Sequence, residues 1–240
     1  MRHGFKREEL EPRYDVPVIA EDDWHNYSGL KTSQILAREL LKVAPSSLWL
    51  LNAGAGVYEL GGRDWNEVAL DLFVKPIRHR SYAVCGNIEK LPFPGQVFDC
   101  IVCVGEVLAY CDPAAAIFEF GRVLLPGGML ICDFGSSRSF RRWFTASFGR
   151  AADLIVDDYN EAPERTWVYD PKYVNTLLAS SGFEVRSMIG VHTWSALARR
   201  LGTSSTTALT LQRSLEWIRL PRIWADLTTI VALREKGETL

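Results

Sequence analysis

The sequence predicts an α/β protein built on a parallel sheet, because short apolar runs alternate with stretches of helical periodicity. The first apolar run, residues 48–51, leads into the glycine-rich segment NAGAG at residues 52–56. A second short run, residues 68–70, ends on Asp71. Strand, glycine loop, strand and acid is the order in which an open parallel sheet binds a ligand that carries a ribose, with the acid accepting hydrogen bonds from the sugar hydroxyls.

The composition is that of an ordinary globular chain. Of its 240 residues, 48% are hydrophobic and 23% are charged, so we expect a single domain over residues 1–240. The net charge of −2 gives no reason to expect a nucleic-acid partner. No apolar run approaches the roughly 20 residues of a membrane span. The five cysteines are an odd number with no signal peptide before them and no histidine at zinc spacing. They predict buried thiols, no metal and a cytoplasmic location.

The N-terminal part is expected to form an arm and a helix. Residues 1–20 are polar and contain two prolines, which favours a loose arm. Isoleucine and leucine then recur at helical spacing, which predicts an amphipathic helix over about residues 30–43, ended by Pro45. We expect residues 1–45 as a whole to lie over the ligand site.

The middle of the chain continues the alternation. Residues 97–104 and 129–134 are apolar enough to be buried strands, and residues 113–124 have helical periodicity. The sequence PGG at residues 126–128 predicts a turn between that helix and the second of these strands.

Residues 136–170 are rich in aromatic side chains with arginines interleaved. Two interpretations stay open. The segment is either an amphipathic helix packed on the sheet or a lid that covers an apolar substrate pocket with a basic rim.

The C-terminal part predicts one more helix and two more strands. The helix covers residues 169–181, and the strands cover residues 183–191 and 227–233. Residues 192–224 lie between the two strands as an insertion, which we expect to be helical near residues 206–219.

The glycine loop distinguishes between ligands. The dinucleotide fingerprint has a third glycine three residues after the second, at the helix N-terminus that receives a pyrophosphate. That position is Glu59 here, and its carboxylate would repel a phosphate. The loop therefore suits a nucleoside without phosphates, such as S-adenosylmethionine (SAM), better than it suits NAD. A nucleotide-linked enzyme of Rossmann type remains an alternative.

Four stretches of the chain resemble the class I SAM-dependent methyltransferases, in the broad group that methylates small molecules. They are NAGAG at 52–56, the acid Asp71, GNIEKLPFPGQVFDCIVC at 86–103 and EFGRVLLPGGMLICDF at 119–134. The resemblance implies a three-layer sandwich around a doubly wound, mostly parallel, seven-stranded sheet. The last two strands would form an antiparallel hairpin at one edge.

The resemblance also implies how SAM is bound. The glycine loop would pass beneath its methionine part, Asp71 would bind the ribose, and Asn87 would face the adenine amine. Leu72 and Ile88 would lie on the two faces of the adenine. The cofactor-binding candidates are Asn52, Gly54, Ala55, Gly56, Asp71, Leu72, Asn87, Ile88, Val104, Gly105 and Glu106.

The loop departs from the family pattern in three ways. Asn52 replaces an acid, Tyr58 replaces the third glycine, and only about 15 residues separate Gly56 from Asp71. Residues 57–67 are therefore expected to be a loop or a single turn. These departures leave open a second alternative, a non-catalytic SAM-binding or partner protein.

The resemblance implies transfer of a methyl group from SAM to an oxygen or nitrogen of a small, partly apolar molecule in secondary metabolism, by a monomer or homodimer. A hydroxyl acceptor would need a base, and the candidates are His25, His192, Glu106 and, more weakly, Tyr27. We favour His25, because the N-terminal segment folds over the cofactor in similar enzymes. The substrate-binding candidates are Trp24, Tyr27, Tyr110, Phe140, Trp143, Phe144 and Trp194.

Overall fold

A computed structural model describes residues 5, 8–10, 23–43, 47–60, 65–159, 162–218 and 220–236. The arm expected over residues 1–20 lies almost entirely outside these ranges. Within them, no helix is both long enough and apolar enough to cross a membrane.

Besides the helical residues 8–10 and short 3₁₀ turns, the described chain contains six α-helices and nine strands. The helices are α1 (Asp23–Val43), α2 (Val74–Ile77), α3 (Pro113–Val123), α4 (Pro171–Ser180), α5 (Thr193–Arg200) and α6 (Ser205–Leu215). The strands are β1 (Trp49–Ala53), β2 (Asn66–Asp71), β3 (Ala83–Cys85), β4 (Phe98–Cys103), β5 (Leu124–Gly135), β6 (Ala152–Tyr159), β7 (Ala162–Tyr169), β8 (Phe183–Val191) and β9 (Leu227–Arg234).

Seven strands form one sheet in the order β3-β2-β1-β4-β5-β9-β8. The first five are parallel to one another, whereas β9 runs antiparallel to both β5 and β8. The predicted fold class, including the antiparallel hairpin at one edge, is confirmed. Because the strand order reverses at β1 and β4, their carboxyl ends form the crevice in which such sheets bind ligands.

Helices cover both faces of the sheet. On one face, Leu36 and Leu40 of α1 pack with Leu50 of β1. On the other face, Phe120 of α3 and Val174 of α4 belong to the larger apolar cluster. Helix α1 begins at Asp23, whereas the hydrophobic spacing predicted a start near residue 30. This extension brings the residues at its start to the carboxyl side of the sheet.

The PGG sequence does not form a separate turn. Strand β5 begins at Leu124 and runs through it, with Gly127 at φ +80°. A side chain at Gly128 would approach the Asp99 carbonyl oxygen to 2.9 Å. The glycines therefore allow the strand to start irregularly, where its pairing with β4 shifts register.

The helical interpretation of residues 136–170 is wrong. The segment forms a 3₁₀ turn, Phe140–Arg142, followed by the antiparallel hairpin of β6 and β7. Aromatic and β-branched side chains are enriched in both strands, which favours an extended backbone. The other C-terminal predictions are confirmed: α4 is capped by Asp170 and followed by Gly182 at φ +76°, and the insertion before β9 contains two helices.

Candidate functional site

A cavity of about 900 Å³ lies at the carboxyl ends of the central strands. Its volume falls within the roughly 300–1,000 Å³ usual for ligand and cofactor sites. One end is formed by the glycine loop and β2. The other end is formed by the start of α1, the 3₁₀ turn after β5 and the insertion before β9.

The glycine loop turns sharply beneath this cavity. The backbone nitrogens of Gly54 and Ala55 both donate to the Leu70 carbonyl oxygen, at 2.8 and 3.0 Å. Gly54 has φ +75°, and a Cβ there would lie 2.6 Å from the side chain of Val107. Gly56 has φ +50° and open space where a Cβ would point. The loop therefore needs glycine at residue 54 for both conformation and space.

Asp71 joins the loop to the end of β2. Its Oδ2 accepts a hydrogen bond from the Gly56 nitrogen at 2.8 Å, and its Oδ1 accepts one from the Phe73 nitrogen at 2.9 Å. Burial raises the pKa of Asp71, and these backbone donors oppose the rise. The carboxylate lines the cavity, and its four lone pairs exceed the backbone donors of Gly56, Phe73 and Leu72. This geometry leaves the carboxylate able to accept a hydrogen bond from a ribose.

Asn52 holds the shortened glycine loop in place through two side-chain hydrogen bonds. Its Nδ2 donates to the Tyr58 carbonyl oxygen at 3.1 Å and to Glu67 Oε1 at 2.9 Å. Arg80 pairs with Glu59 at 3.0 Å and donates to the Val57 carbonyl oxygen. Residues 57–60 contain no helix, as expected, while residues 61–64 lie outside the described part of the chain. Side chains thus hold the loop where a first helix would normally do so.

The residues predicted to contact the adenine belong to the loops that follow β2 and β3. Ile88 is buried, Leu72 is half-buried, and both line the cavity. Asn87 is exposed, and its Oδ1 accepts a hydrogen bond from the Glu89 nitrogen at 2.9 Å. One lone pair of that oxygen is left for an adenine amine.

The turn after β4 is held by an acid that the sequence reasoning missed. Asp133 on β5 accepts hydrogen bonds from the nitrogens of Gly105, at 3.1 Å, and Glu106, at 2.8 Å. Both donors have positive φ, +86° and +59°. Burial raises the pKa of Asp133 to about 6, although these two N–H groups oppose the shift. A single acid within an otherwise apolar predicted strand was the signal that could have identified it.

His192 lies in the cavity wall and is 1% exposed. Its ring stacks on Trp24 with centroids 3.9 Å apart, and its Nε2 lies 2.8 Å from Ser28 Oγ. Its Nδ1 lies 3.0 Å from Ser195 Oγ, which donates to Gln212 Oε1 at 3.4 Å. Ser28 Oγ also donates to the Trp24 carbonyl oxygen at 3.2 Å, so the ring lies between two hydroxyls that each have a second acceptor.

The other base candidates lie nearby. His25 is half-buried, and both His25 and Glu106 line the cavity. Tyr27 is buried and donates to Glu216. Burial, followed by the charge of Glu216, raises the pKa of Tyr27 to about 12, which makes this phenol a poor base near pH 7.

The cavity end beyond the histidines is cationic. Arg142 Nη1 donates to Asp226 Oδ1 at 2.8 Å, and Arg141 Nη1 lies 3.6 Å from Asp226 Oδ2. Burial opposes ionisation of Asp226, but the two guanidiniums lower its pKa to about 2. Arg199 of α5 lines the same cavity. Asp226 was not among the sequence candidates, although an acid directly before the last apolar strand is visible in the sequence.

The structure separates the aromatic substrate candidates into two groups. Trp24 and Tyr110 line the cavity. The remaining candidates are described residues that lie outside its lining: Tyr27, Phe140, Trp143, Phe144 and Trp194. Phe140 is buried against Trp224, whereas Trp143 and Phe144 stack on each other and are exposed. Any role of this second group in substrate binding stays a prediction.

Among the described residues, no group of three or more histidine, cysteine, aspartate or glutamate side chains is arranged to hold a metal ion. The four cysteines near or within the sheet core are buried, and Cys85 is exposed.

Residues 46–132 match a known family, described as a methyltransferase domain. The chain is 24% identical over 199 residues to a demethylmenaquinone methyltransferase of Deinococcus radiodurans, covering 74% of this chain and 83% of that protein. It is 36% identical over 110 residues to a malonyl-[acyl-carrier protein] O-methyltransferase of Herminiimonas arsenicoxydans, covering 41% of this chain and 42% of that protein. A SAM-dependent methyltransferase from Clostridium acetobutylicum has a similar fold, with TM-score 0.57 and 12% identity, covering 95% and 98% of the two chains.

The sheet has the topology of the class I methyltransferase fold, and residues 46–132 match a methyltransferase domain. This match and the similarity to curated methyltransferases support a SAM-dependent methyltransferase, an enzyme whose cofactor is S-adenosylmethionine.

Proposed function

We propose that this enzyme transfers the methyl group of SAM to an oxygen or nitrogen of a small molecule, in secondary metabolism. The observation that carries the proposal is one cavity with two chemically different ends. Asp71 and the glycine loop form one end, and the same cavity is lined by His25 of α1 and by His192 before α5. A nucleoside held at the first end points its remaining part toward the second.

The cofactor end would bind SAM through the residues already described. Asp71 would accept hydrogen bonds from the ribose, and Leu72 and Ile88 would contact the adenine. The loop from Gly54 to Gly56 would lie beneath the methionine part. SAM supplies a carbon activated by its sulfonium, so the protein mainly has to align an acceptor with that carbon and exclude water.

We further propose that the chain acts as a single domain in which three segments cover the acceptor. Residues 1–45 contribute Trp24, His25 and Ser28 to the cavity wall through α1. Residues 136–170 contribute Arg141, Arg142, Glu164, Thr166 and Trp167, and residues 192–224 contribute His192, Arg199 and Ser205. These contributions support the interpretation of the two later segments as a lid rather than as surface insertions.

We propose His25 as the general base for a hydroxyl acceptor. Both ring nitrogens of His192 lie within hydrogen-bonding distance of serine hydroxyls, and its ring is stacked on Trp24. These contacts suit a residue that fixes α1 to the insertion. His25 is less buried and lines the same cavity, and a neutral imidazole is well matched to accepting a proton near pH 7.

The test is a transfer assay with methyl-labelled SAM against a panel of small phenols, carboxylic acids and primary amines. The proposal predicts label in at least one product, lost when Asp71 is replaced by alanine. If SAM binds but no oxygen or nitrogen acceptor in the panel is methylated, while a carbon or sulfur acceptor is, the proposed acceptor atom is wrong.

A further inference from the structure

Three arginines from two separate parts of the chain line one end of the cavity. Arg141 and Arg142 lie in the 3₁₀ turn after β5, and Arg199 lies in the last turn of α5. Helix α5 packs against that turn, and Arg200 Nε donates to the Trp143 carbonyl oxygen at 2.9 Å. The packing of these two elements brings their guanidinium groups to the same region.

This region lies far from the ribose acid. Asp226 directly precedes β9, which is four strands away from β2 in the sheet order. At the ordinary spacing of neighbouring strands this separation is about 19 Å. A nucleoside bound at Asp71 would therefore leave the arginine end for the methyl acceptor.

The arginine end already stabilises one anion. Asp226 stays ionised although it is buried, because Arg142 and Arg141 both approach its carboxylate. Guanidinium groups recognise carboxylates and phosphates through paired, charge-assisted hydrogen bonds. The exposed Arg199 adds a third positive charge at the same end.

We propose that the methyl acceptor carries an oxyanion group, a carboxylate or a phosphate, which binds at the cavity end lined by Arg141 and Arg199. This inference rests on the proposed function and adds the substrate class. It adds a charged group to the expected partly apolar acceptor, because the exposed Trp143 and Phe144 lie outside the lining whereas Arg141 and Arg199 are part of it.

The test is calorimetry on the protein saturated with S-adenosylhomocysteine, the demethylated product. The probes are 4-hydroxybenzoate, 4-hydroxyphenyl phosphate and the neutral 4-hydroxybenzamide. Arg199→Gln and Arg141→Gln are compared with Arg213→Gln, a control in the neighbouring helix α6 whose side chain is exposed and lies outside the cavity lining. Arg142 is left intact, because its removal would strand the buried carboxylate of Asp226.

We expect at least one of the anions to bind about tenfold or more tightly than the amide. Arg199→Gln or Arg141→Gln should weaken binding of that anion by about tenfold, the scale of one charge-assisted hydrogen bond, and Arg213→Gln should leave its affinity unchanged. The anion with the higher affinity identifies the group as carboxylate or phosphate. Equal affinity for the amide, no binding of either anion, or insensitivity to both substitutions would overturn the inference.

The two proposals fail in different ways. If the wild-type protein binds S-adenosylhomocysteine but shows no specific site for either anion, only the proposed substrate class is contradicted. If the wild-type protein does not bind S-adenosylhomocysteine, the proposed function itself is contradicted.

Discussion

The imidazole of His192 stacks almost parallel to the indole of Trp24, with an interplanar angle of 4° and 3.9 Å between the ring centroids. The stack joins the first helix to the insertion before the last strand, and both rings line the cavity. His192 itself adopts φ +64°, a conformation that a residue without glycine's freedom keeps only when its surroundings hold it there. The contact between α1 and α5 is therefore part of the wall of the proposed acceptor site.

The two histidines should respond differently to substitution. His25→Ala is expected to lower kcat by on the order of 10²–10⁴ with little change in SAM affinity, because it removes the proposed base. His192→Ala should keep most of kcat but lower the free energy of unfolding by about 2–4 kcal/mol, because it removes a buried ring and its hydrogen bonds. Steady-state kinetics and denaturant unfolding check the two effects. The reverse pattern would assign the base to the insertion, and no loss of kcat in either variant would indicate an amine acceptor that needs no base.

A methyl group at Gly54 should disrupt the cofactor loop. Gly54→Ala places a Cβ 2.6 Å from Val107 in a left-handed backbone, so we expect SAM affinity to fall by about tenfold or more. Gly202→Ala is the control, because Gly202 also has a left-handed φ, +85°, but has open space for a Cβ and lies outside the cavity lining. It should cost about 1 kcal/mol of stability and leave SAM affinity unchanged. Equal effects on SAM binding would attribute the loss to backbone strain alone.

Asp133 should make stability depend on pH. Its pKa is about 6 in the folded protein against 3.8 for an unperturbed carboxyl, so the folded state binds the proton more tightly. Its stabilising contribution is present below about pH 4 and is lost as the pH rises to about 6. The resulting change in the free energy of unfolding is on the order of 3 kcal/mol. Denaturant unfolding of the wild type and Asp133→Asn at several pH values between 4 and 7 measures this difference.

Asp226 provides the comparison for that experiment, because its pKa is shifted the other way, to about 2. Its stabilising contribution is present above about pH 4 and falls only as the pH approaches 2. Between pH 4 and 6, the free energy of unfolding of Asp226→Asn should therefore change with pH as it does in the wild type. If the free energy of unfolding of Asp133→Asn depends on pH as strongly as that of the wild type, the buried carboxyl of Asp133 does not cause this dependence.

The sequence predicted the sheet and the cofactor loop better than it predicted the acceptor site. Strands such as β1 and β4 are continuous apolar runs because helices cover both of their faces, and the glycine pattern is local. The hairpin of β6 and β7 was missed, since its aromatic residues are compatible with either a helix or a strand until their packing is known.

The acceptor end depends on contacts between residues far apart in the chain. Arg142 and Asp226 are 84 residues apart, and Ser28 and His192 are 164 apart. No local pattern specifies such pairs, because they arise only when α1, the 3₁₀ turn and the insertion meet over the sheet. The same reasoning explains why Asp133, inside an apolar strand, was recognised only from its hydrogen bonds to Gly105 and Glu106.

Asp71 carries the central claim that the glycine loop and the acid after β2 bind SAM. Removal of its carboxylate eliminates a charged acceptor for the ribose hydroxyls, and hydrogen bonds to charged groups contribute about 1.5–3 kcal/mol each. Asp99 offers a matched control, since its Oδ2 also accepts a hydrogen bond from a backbone nitrogen, that of Trp49, but it lies outside the cavity lining.

The decisive measurement is calorimetric titration of SAM into the wild type, Asp71→Ala and Asp99→Ala, each first shown to be folded at the temperature of the titration. We predict one SAM bound per wild-type chain, an affinity at least about tenfold lower for Asp71→Ala, and an unchanged affinity for Asp99→Ala. An unchanged affinity for SAM in folded Asp71→Ala would contradict the assignment of this cavity as the cofactor site.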